Sequence, residues 1–421
     1  MDKFIINGGK KLSGTVKVSG AKNSSLAIMP ATLLNNGKNV LTNTPEVNDI
    51  FTMIKLLKHL GVKAEFNNHT LELDTTDIIS QEAPYDHVKK MRASVYVLGP
   101  LLAKYGYAKV SLPGGCAWGP RPINLHLEAM KKLGAEIELE GGYIIAKAKK
   151  LKGANIHFDI SSVGATGNVL MAAVLAEGST TISNAAIEPE IVQLADFLKD
   201  MGAQIEGIGT STLKIEGVNE LHPANVRTIS DRIEAGTLLI AGALTRSKIT
   251  LDYIDHEHIN SVLWKLEDSG AKICKDNNLV TINAEGLSIK NVDVTTAIYP
   301  GFPTDMQAQW TAFMCLAEGV SSVTDNIYLD RFKHVPELNR LGADIEVRNN
   351  TAVVQGGRKL LGAKVMSTDL RASASLVLAG LAAKGETEVL RIYHIDRGYQ
   401  RIEEKLQALG ADIKRVPGTE F

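Results

Sequence analysis

The sequence predicts an α/β protein of two domains, each made of three copies of a unit of about 70 residues. Two recurring phrases and the chain length carry this expectation. The first phrase is an amphipathic run closed by glycine: Leu57-Lys-His-Leu-Gly61, Met130-Lys-Lys-Leu-Gly134, Leu198-Lys-Asp-Met-Gly202, Leu266-Glu-Asp-Ser-Gly270, Leu338-Asn-Arg-Leu-Gly342 and Leu406-Gln-Ala-Leu-Gly410. These glycines stand 73, 68, 68, 72 and 68 positions apart, and each is followed by alternating residues such as Ala-Glu-Ile-Glu. That is a helix stopped by a left-handed glycine cap and then a strand. The second phrase is an Ala/Leu/Met-rich helix, a break at Gly37, Gly106, Gly178, Ser247, Gly319 or Gly385, and a segment rich in Val, Thr and Ser. At 421 residues the chain exceeds the size at which one hydrophobic core keeps growing, so two closed domains fit better than one.

Each unit therefore reads strand, buried helix, strand, loop, amphipathic helix, strand, strand. The first helix is apolar nearly all round, as in Leu376-Val-Leu-Ala-Gly-Leu-Ala, and should lie inside its domain. The sixth unit stops after one strand at Lys414-Arg-Val416, while Leu12-Ser-Gly-Thr-Val-Lys-Val18 reads as the opening strand of a unit. Residues 1–21 are thus expected to join 230–421 in one domain, with 22–229 forming the other and the functional site in the cleft between them. Gly141-Gly142 and Gly356-Gly357 read as turns between strands.

Composition narrows the function. Lys plus Arg total 46 against 47 Asp plus Glu, a net charge of −1, which argues against a general nucleic-acid or membrane-surface binder. Three cysteines, Cys116, Cys274 and Cys315, have no paired spacing, so neither a disulfide framework nor a zinc site is indicated. The start, Met1-Asp-Lys-Phe-Ile-Ile-Asn-Gly-Gly, has no apolar signal region, and no stretch reaches membrane-span length. A cytoplasmic protein is expected. Neither a phosphate-loop signature nor a dinucleotide fingerprint occurs. Asp255-His-Glu-His258 lacks the spacing of a zinc helix motif and reads as solvated loop.

The repeat converts scattered charges into two ladders. Fourteen or fifteen positions before each break stand Lys22-Asn23, Arg92, Gly164, Arg232, Asp305 and Arg371. Beyond the breaks, before the amphipathic helices, stand Cys116 with Arg121, Glu188 with Glu190, His256, Arg331 and Arg397. Helix starts carry unpaired N–H groups and suit anions. Arginine there opposes the helix dipole, so its repetition points to a polyanionic ligand held by forked donors, the other reading being solvated helix-end charge. Asp305 and Asp369 are each open to two readings, a helix N-cap or a base among cations. Pro113-Gly-Gly-Cys116 is the most elaborated of the six equivalent loops. Its thiol is either an inert small hydrophobe or a functional group.

These residues are similar to the UDP-N-acetylglucosamine enolpyruvyl transferases. The matching motifs run through nearly the whole chain: Ser19-Gly-Ala-Lys-Asn23, Met91-Arg-Ala-Ser94, Pro113-Gly-Gly-Cys116, Arg121-Pro122, Ser162-Val-Gly-Ala-Thr166, Asp231-Arg-Ile-Glu234, Phe302-Pro-Thr-Asp-Met-Gln307, Arg331-Phe332, His334-Val-Pro-Glu337, Thr368-Asp-Leu-Arg371 and His394-Ile-Asp-Arg-Gly398. The resemblance implies the two-domain inside-out α/β barrel, the enolpyruvyl transferase fold. It implies transfer of an enolpyruvyl group from phosphoenolpyruvate to the 3-hydroxyl of UDP-N-acetylglucosamine, with release of phosphate, in bacterial peptidoglycan synthesis. Cys116 would then be the general acid and alkylation-prone. Lys22, Arg121 and Arg397 would hold phosphate and carboxylate, and Asp305 would take the proton of the sugar hydroxyl or orient it. The nucleotide sugar would lie near Asn23, Arg92, Arg121, Pro122, Ile123, Asn124, Leu125, Ser161, Ser162, Val163, Gly164, Asp305 and Ile327, with Arg331, Asp369 and Arg371 completing the site. No metal or organic cofactor is implied, and the resemblance names no protein partner.

The chain departs from the family's common pattern at Asn124, where Asp is usual, at the stiffer Trp118-Gly-Pro120, at Ile160, where some members carry Lys, and at Ile327-Tyr-Leu-Asp330. These bear on affinity and rate and leave the catalytic roles in place. Two other readings are open to these residues. One is the sister transferase that acts on shikimate 3-phosphate, which shares the repeat but does not use the Pro-Gly-Gly-Cys loop. The other is a non-catalytic nucleotide-sugar sensor.

Overall fold

The computed structural model describes residues 2–89, 91–112 and 123–418. Across these residues the chain forms six four-stranded sheets, one for each repeat. The third repeat shows the plan. Asn155–His157 pairs parallel with Ser179–Ser183, and the buried helix Val163–Ala173 crosses between them. Parallel neighbours need such a crossover, and an apolar helix supplies it. The amphipathic helix Pro189–Asp200 follows, and the antiparallel pair Gln204–Glu206 and Thr212–Glu216 closes the sheet against 179–183.

Each amphipathic helix stops where the sequence predicts. Gly61, Gly134, Gly202, Gly270, Gly342 and Gly410 all have φ between 92° and 112°, the left-handed region open to glycine. Gly141-Gly142 makes the two-residue turn between Glu136–Glu140 and Tyr143–Lys147, both at positive φ, as a hairpin of this twist needs. Gly356-Gly357 does not turn a hairpin. The turn of that repeat is Asn349-Asn350, and the Gly pair follows the strand Thr351–Gln355. There a Cβ on Gly356 would come within 2.0 Å of the Ala317 carbonyl oxygen, so that glycine is fixed by close backbone approach.

The chain divides into two compact units, residues 1–19 with 230–421, and residues 20–229. Each closes on itself by borrowing strands. In the first, Asp2–Asn7 lies antiparallel between Glu386–Leu390 and Asp412–Pro417, completing the sixth sheet. Ser13–Lys17 runs parallel to Lys248–Asp252 as the opening strand of the fourth. In the second, Asn225–Arg227, at the far end of the unit, opens the first sheet beside Lys38–Thr42.

Each unit has its own apolar core. The inner helices are buried nearly all round: Arg232–Leu244 buries every residue from Ile233 to Leu244, and Leu370–Ala382 every residue from Arg371 to Leu381. Helices enclosed on all sides by sheet and outer helix need no polar face. Their first turns are where polar side chains gather. Among the described residues, no helix is long and apolar enough to cross a membrane.

Candidate active site

In the unit of residues 1–19 and 230–421, three ladder residues meet. Asp305 sits in the short turn Thr304–Met306 ahead of the inner helix Gln307–Met314. It caps neither element. Its Oδ1 accepts from Arg331 Nη1 at 2.8 Å and its Oδ2 from Arg371 Nη2 at 2.7 Å. Both guanidinium side chains are at most 8% exposed, while the carboxylate is 27% exposed. Burial alone would raise the Asp305 carboxyl, but Arg371 and then Arg331, by charge and hydrogen bonds, hold it well below the usual carboxylate range. The result is an ionised carboxylate fixed from two sides, with an open edge.

The supports of this triad are polar and specific. Arg371 occupies the first turn of Leu370–Ala382, where Asp369 is the N-cap, accepting from the backbone N–H of Arg371 at 2.9 Å and of Ala372 at 3.1 Å. Asp369 is therefore a helix cap in this fold. The Arg371 guanidinium lies over the Tyr399 ring, 5.4 Å from its centroid. The Tyr399 hydroxyl is fully buried and bonded to Thr237 and Gln309. Arg331 lies over Tyr328 at 5.4 Å and donates to Thr304 Oγ1 at 2.9 Å. It precedes its helix Val335–Arg340 by four residues, so the ladder's helix-start geometry is not reproduced there. Ile327 is half-buried in the loop before Arg331. Arg397 is also half-buried and ends the short helix Ile392–Arg397.

In the unit of residues 20–229, Lys22 opens the inner helix Lys22–Ala31. It is 8% exposed and pairs with Asp49, itself 4% exposed, at 3.2 Å. Asn23 beside it is exposed. Sequence reasoning missed Asp49, although a signal existed. Asp49 stands twelve positions before Gly61, as Glu190 does before Gly202, and both are buried at the start of an outer helix. Arg92 is half-buried and begins a 3-10 turn, Arg92–Val97, that leads into the helix Leu98–Tyr105.

Ser162 caps Val163–Ala173, accepting from the Ala165 N–H at 3.3 Å, with Ser161 and Gly164 half-buried and Val163 37% exposed. Ile160 is exposed just before it. Ile123 precedes the helix Asn124–Lys132, on which Asn124 is exposed and Leu125 half-buried. Cys116, Trp118, Arg121 and Pro122 lie outside the described residues.

His126, another residue sequence reasoning passed over, ties these segments together. It is 5% exposed, and its Nδ1 is 2.9 Å from Asn168 Nδ2. A Cβ on Gly164 would come 3.1 Å from the His126 ring, so glycine lets imidazole and helix start approach. The same Nδ2 also donates to the Val95 carbonyl at 3.0 Å, and Asn168 Oδ1 accepts from the Gly99 N–H at 2.9 Å, joining three elements through one side chain. Burial, and then the charge of Arg92, push the His126 imidazole down to about 4. Burial, and then Arg331, push His334 in the other unit down to about 3.

A histidine whose folded pKa is depressed stays neutral until the pH falls well below its unfolded value of about 6.5. Between those values the unfolded chain binds more protons, so stability falls as pH drops. Both units are therefore expected to lose thermal stability progressively from about pH 6.5 toward pH 4. His126→Gln should flatten that dependence for its own unit in a calorimetric pH series; an unchanged slope would contradict the assignment.

Each unit holds a buried cation at an inner helix start that is braced by a carboxylate, Lys22 by Asp49 and Arg371 by Asp305. Such sites suit phosphate and carboxylate groups. The family model that matches the chain, over residues 6–406, is EPSP synthase (3-phosphoshikimate 1-carboxyvinyltransferase). A UDP-N-acetylglucosamine 1-carboxyvinyltransferase of Chloroherpeton thalassium is 59% identical, covering 100% of this chain and 99% of its own length. One from Chlorobium limicola is 58% identical with 100% of both chains covered. Among solved structures, the enolpyruvyl transferase NikO from Streptomyces tendae aligns with a TM-score of 0.89 at 26% identity, over 99% of each chain. An EPSP synthase from Acinetobacter baumannii aligns with a TM-score of 0.77 at 18% identity, over 99% of this chain and 100% of that one, which speaks to the fold.

Proposed function

The chain belongs to the EPSP synthase family, and from that premise we propose that it acts as a UDP-N-acetylglucosamine 1-carboxyvinyltransferase. It transfers the enolpyruvyl group of phosphoenolpyruvate to the 3-hydroxyl of UDP-N-acetylglucosamine and releases phosphate, the first committed step of peptidoglycan synthesis. The observation that carries this reading is the 59% identity, over its whole length, to a relative of that name. The proposed place of action is the bacterial cytoplasm, with the two small-molecule substrates as partners and neither nucleic acid nor membrane, in keeping with a net charge of −1.

The chemistry has two stages. The sugar hydroxyl oxygen adds to C2 of phosphoenolpyruvate, C3 gains a proton, and the hydroxyl loses one. Phosphate then leaves C2 and a proton leaves the new methyl group, restoring the double bond. Cys116 is the proposed donor to C3. Lys22, Arg121 and Arg397 hold the phosphate and carboxylate, offsetting repulsion between two anionic substrates. Asn23, Arg92, residues 121–125, Ser161 to Gly164 and Ile327 receive the nucleotide sugar. Arg331, Asp369 and Arg371 complete the site, Asp369 through the helix start that carries Arg371.

For Asp305 the local electrostatics favour one of the two family roles. A carboxylate held well below its usual range by two guanidiniums is a weak base and a strong, fixed hydrogen-bond acceptor. Its open edge orients the sugar hydroxyl, and the proton passes on as the oxygen bonds to carbon. Neither a metal nor an organic cofactor enters these steps.

The test is to supply phosphoenolpyruvate with either UDP-N-acetylglucosamine or shikimate 3-phosphate and measure phosphate release, with and without prior thiol alkylation. Turnover with the nucleotide sugar alone, lost on alkylation, is expected. Turnover only with shikimate 3-phosphate would assign the chain to the sister activity. Nucleotide-sugar binding without product would make it a sensor.

A further inference from the structure

We propose that Asp325 is a positioning residue for the acceptor half of this reaction, holding Thr304, and through it the Arg331–Asp305 pair, in the geometry that receives the sugar hydroxyl. The inference rests on the function proposed above. Nothing in the sequence marks Asp325, which ends an ordinary-looking Val-Ser-Ser-Val-Thr-Asp strand, Val320–Asp325. Its carboxylate is completely buried. Four uncharged donors converge on it. Oδ1 accepts from Thr296 Oγ1 at 2.7 Å and from the backbone N–H groups of Ile327 and Tyr328 at 2.9 Å each. Oδ2 accepts from Thr304 Oγ1 at 2.7 Å.

The last of these bonds gives the arrangement its direction. A threonine hydroxyl has one proton and two lone pairs. With its proton committed to Asp325, Thr304 Oγ1 must present a lone pair to Arg331, and Arg331 Nη1 lies 2.9 Å away. The same Nη1 lies 2.8 Å from Asp305 Oδ1. A buried carboxylate thus polarises a hydroxyl, the hydroxyl fixes a guanidinium, and the guanidinium fixes the reactive carboxylate. The two backbone bonds fix the loop that carries Ile327 and Tyr328, and Tyr328 lies beside the Arg331 guanidinium. Asp325 thus bears on both proposed contacts to the nucleotide sugar in this unit, Ile327 directly and Asp305 through its Arg331 side.

The repeat shows that this is not a generic feature of the fold. Counting from the breaks, Asp325 shares its slot with Asn43, Leu112, Asn184, Tyr253 and Arg391, and all of these but Leu112 leave the strand in the left-handed conformation at φ 56° to 61°. At the two asparagines the side chain donates to a backbone carbonyl: Asn43 to Thr228 O at 2.9 Å, Asn184 to Phe158 O at 2.7 Å. Only the repeat that carries Asp305 and Arg331 keeps the strand going one residue further and turns an acceptor inward. Burying a carboxyl group completely is costly, and two of its siblings place a neutral asparagine in the same slot. Its retention here points to the geometry it imposes.

The test compares Thr304→Val, which keeps the shape and removes the hydroxyl, with Thr304→Ser, which keeps the hydroxyl, and with Asp325→Asn. Initial rates are measured against each substrate, with thermal unfolding in parallel. Thr304→Val and Asp325→Asn are expected to lower kcat/KM for UDP-N-acetylglucosamine by about tenfold to a hundredfold. KM for phosphoenolpyruvate should stay within about twofold, and Thr304→Ser should keep most of the activity. The double variant Thr304→Val/Asp325→Asn should be no worse than the more impaired single one, because both break one chain of contacts. Wild-type rates in a folded Thr304→Val would overturn the proposal, as would equal losses for both substrates that track the melting temperature in all three variants. Should Asp325→Asn fail to fold, the Thr304 pair decides. If the unaltered protein does not use the nucleotide sugar, the functional reading falls and this role falls with it.

Discussion

Asp305→Ala is expected to abolish measurable product formation and to lower the stability of its unit by about 3 kcal/mol. The reasoning starts from what remains behind. Arg331 and Arg371 have side chains 8% and 5% exposed, and both donate to the carboxylate that the substitution removes. Removing one partner of a buried charge pair is strongly destabilising because the other charge keeps its desolvation cost. The figure sits at the low end of that range because the Asp305 side chain is itself 27% exposed and partly screened. Asp305→Asn separates stability from chemistry. The amide keeps the shape and one acceptor, so most of the stability should survive while kcat/KM falls by about a hundredfold or more. Thermal unfolding and phosphate release on both variants check this. An alanine variant with wild-type turnover would remove Asp305 from the site.

The same geometry sets a pH signature. The folded carboxyl lies well below its ordinary value, so the stability it contributes is fully present above the unfolded value of about 4 and is lost as pH falls through the folded value. Across pH 5 to 9 its charge does not change. An acid limb of kcat/KM within that window therefore belongs to another group and should persist in Asp305→Asn. A limb that vanishes in that variant would restore Asp305 as the base.

How much of this is legible in the sequence follows from which interactions have a period. The fold class, the six-unit count and the glycine caps can be read because each recurs at nearly constant spacing, and Gly61 through Gly410 carry the same backbone conformation throughout. The meeting of Asp305 and Arg371 is foreshadowed by the same arithmetic, since both stand at inner helix starts of one unit, whereas Arg331 reaches them from the loop ahead of its outer helix. What escapes is aperiodic. Asp325 and Thr304 depart from their siblings by single residues whose significance lies in hydrogen-bond direction. His126 and Asn168 are joined across three segments without any local pattern. The reading of Gly356-Gly357 as a hairpin turn failed because a glycine pair signals either a turn or a close backbone approach, and only the Ala317 carbonyl decides between them. Asp49 was within reach of sequence reasoning, because it shares its slot with Glu190.

Cys116→Ser is expected to leave UDP-N-acetylglucosamine binding nearly unchanged and to lower kcat by about a hundredfold to ten-thousandfold, the range over which a positioned general acid acts. The thiol lies outside the described residues, and its role follows from the chemistry of the reaction. Protonating a carbon demands an acid near neutrality, and a thiol, ordinarily near 8.5, is the side chain of this loop that neighbouring positive charge can bring to that range, with Arg121 five positions on in the sequence. A serine hydroxyl keeps the size but is too weak an acid. The other cysteines provide the internal control. Cys315 is buried, its thiol pushed up to about 12, so it resists alkylation, whereas Cys274 is exposed and open to it. Alkylation of the unaltered protein should therefore modify Cys116 and Cys274, and only the former should track the loss of phosphate release. In Cys116→Ser, Cys274 should still be labelled while the residual rate stays constant. Full activity in Cys116→Ser, or inactivation that follows Cys274, would remove the thiol from the mechanism and shift the search for the proton donor to the other groups at the site.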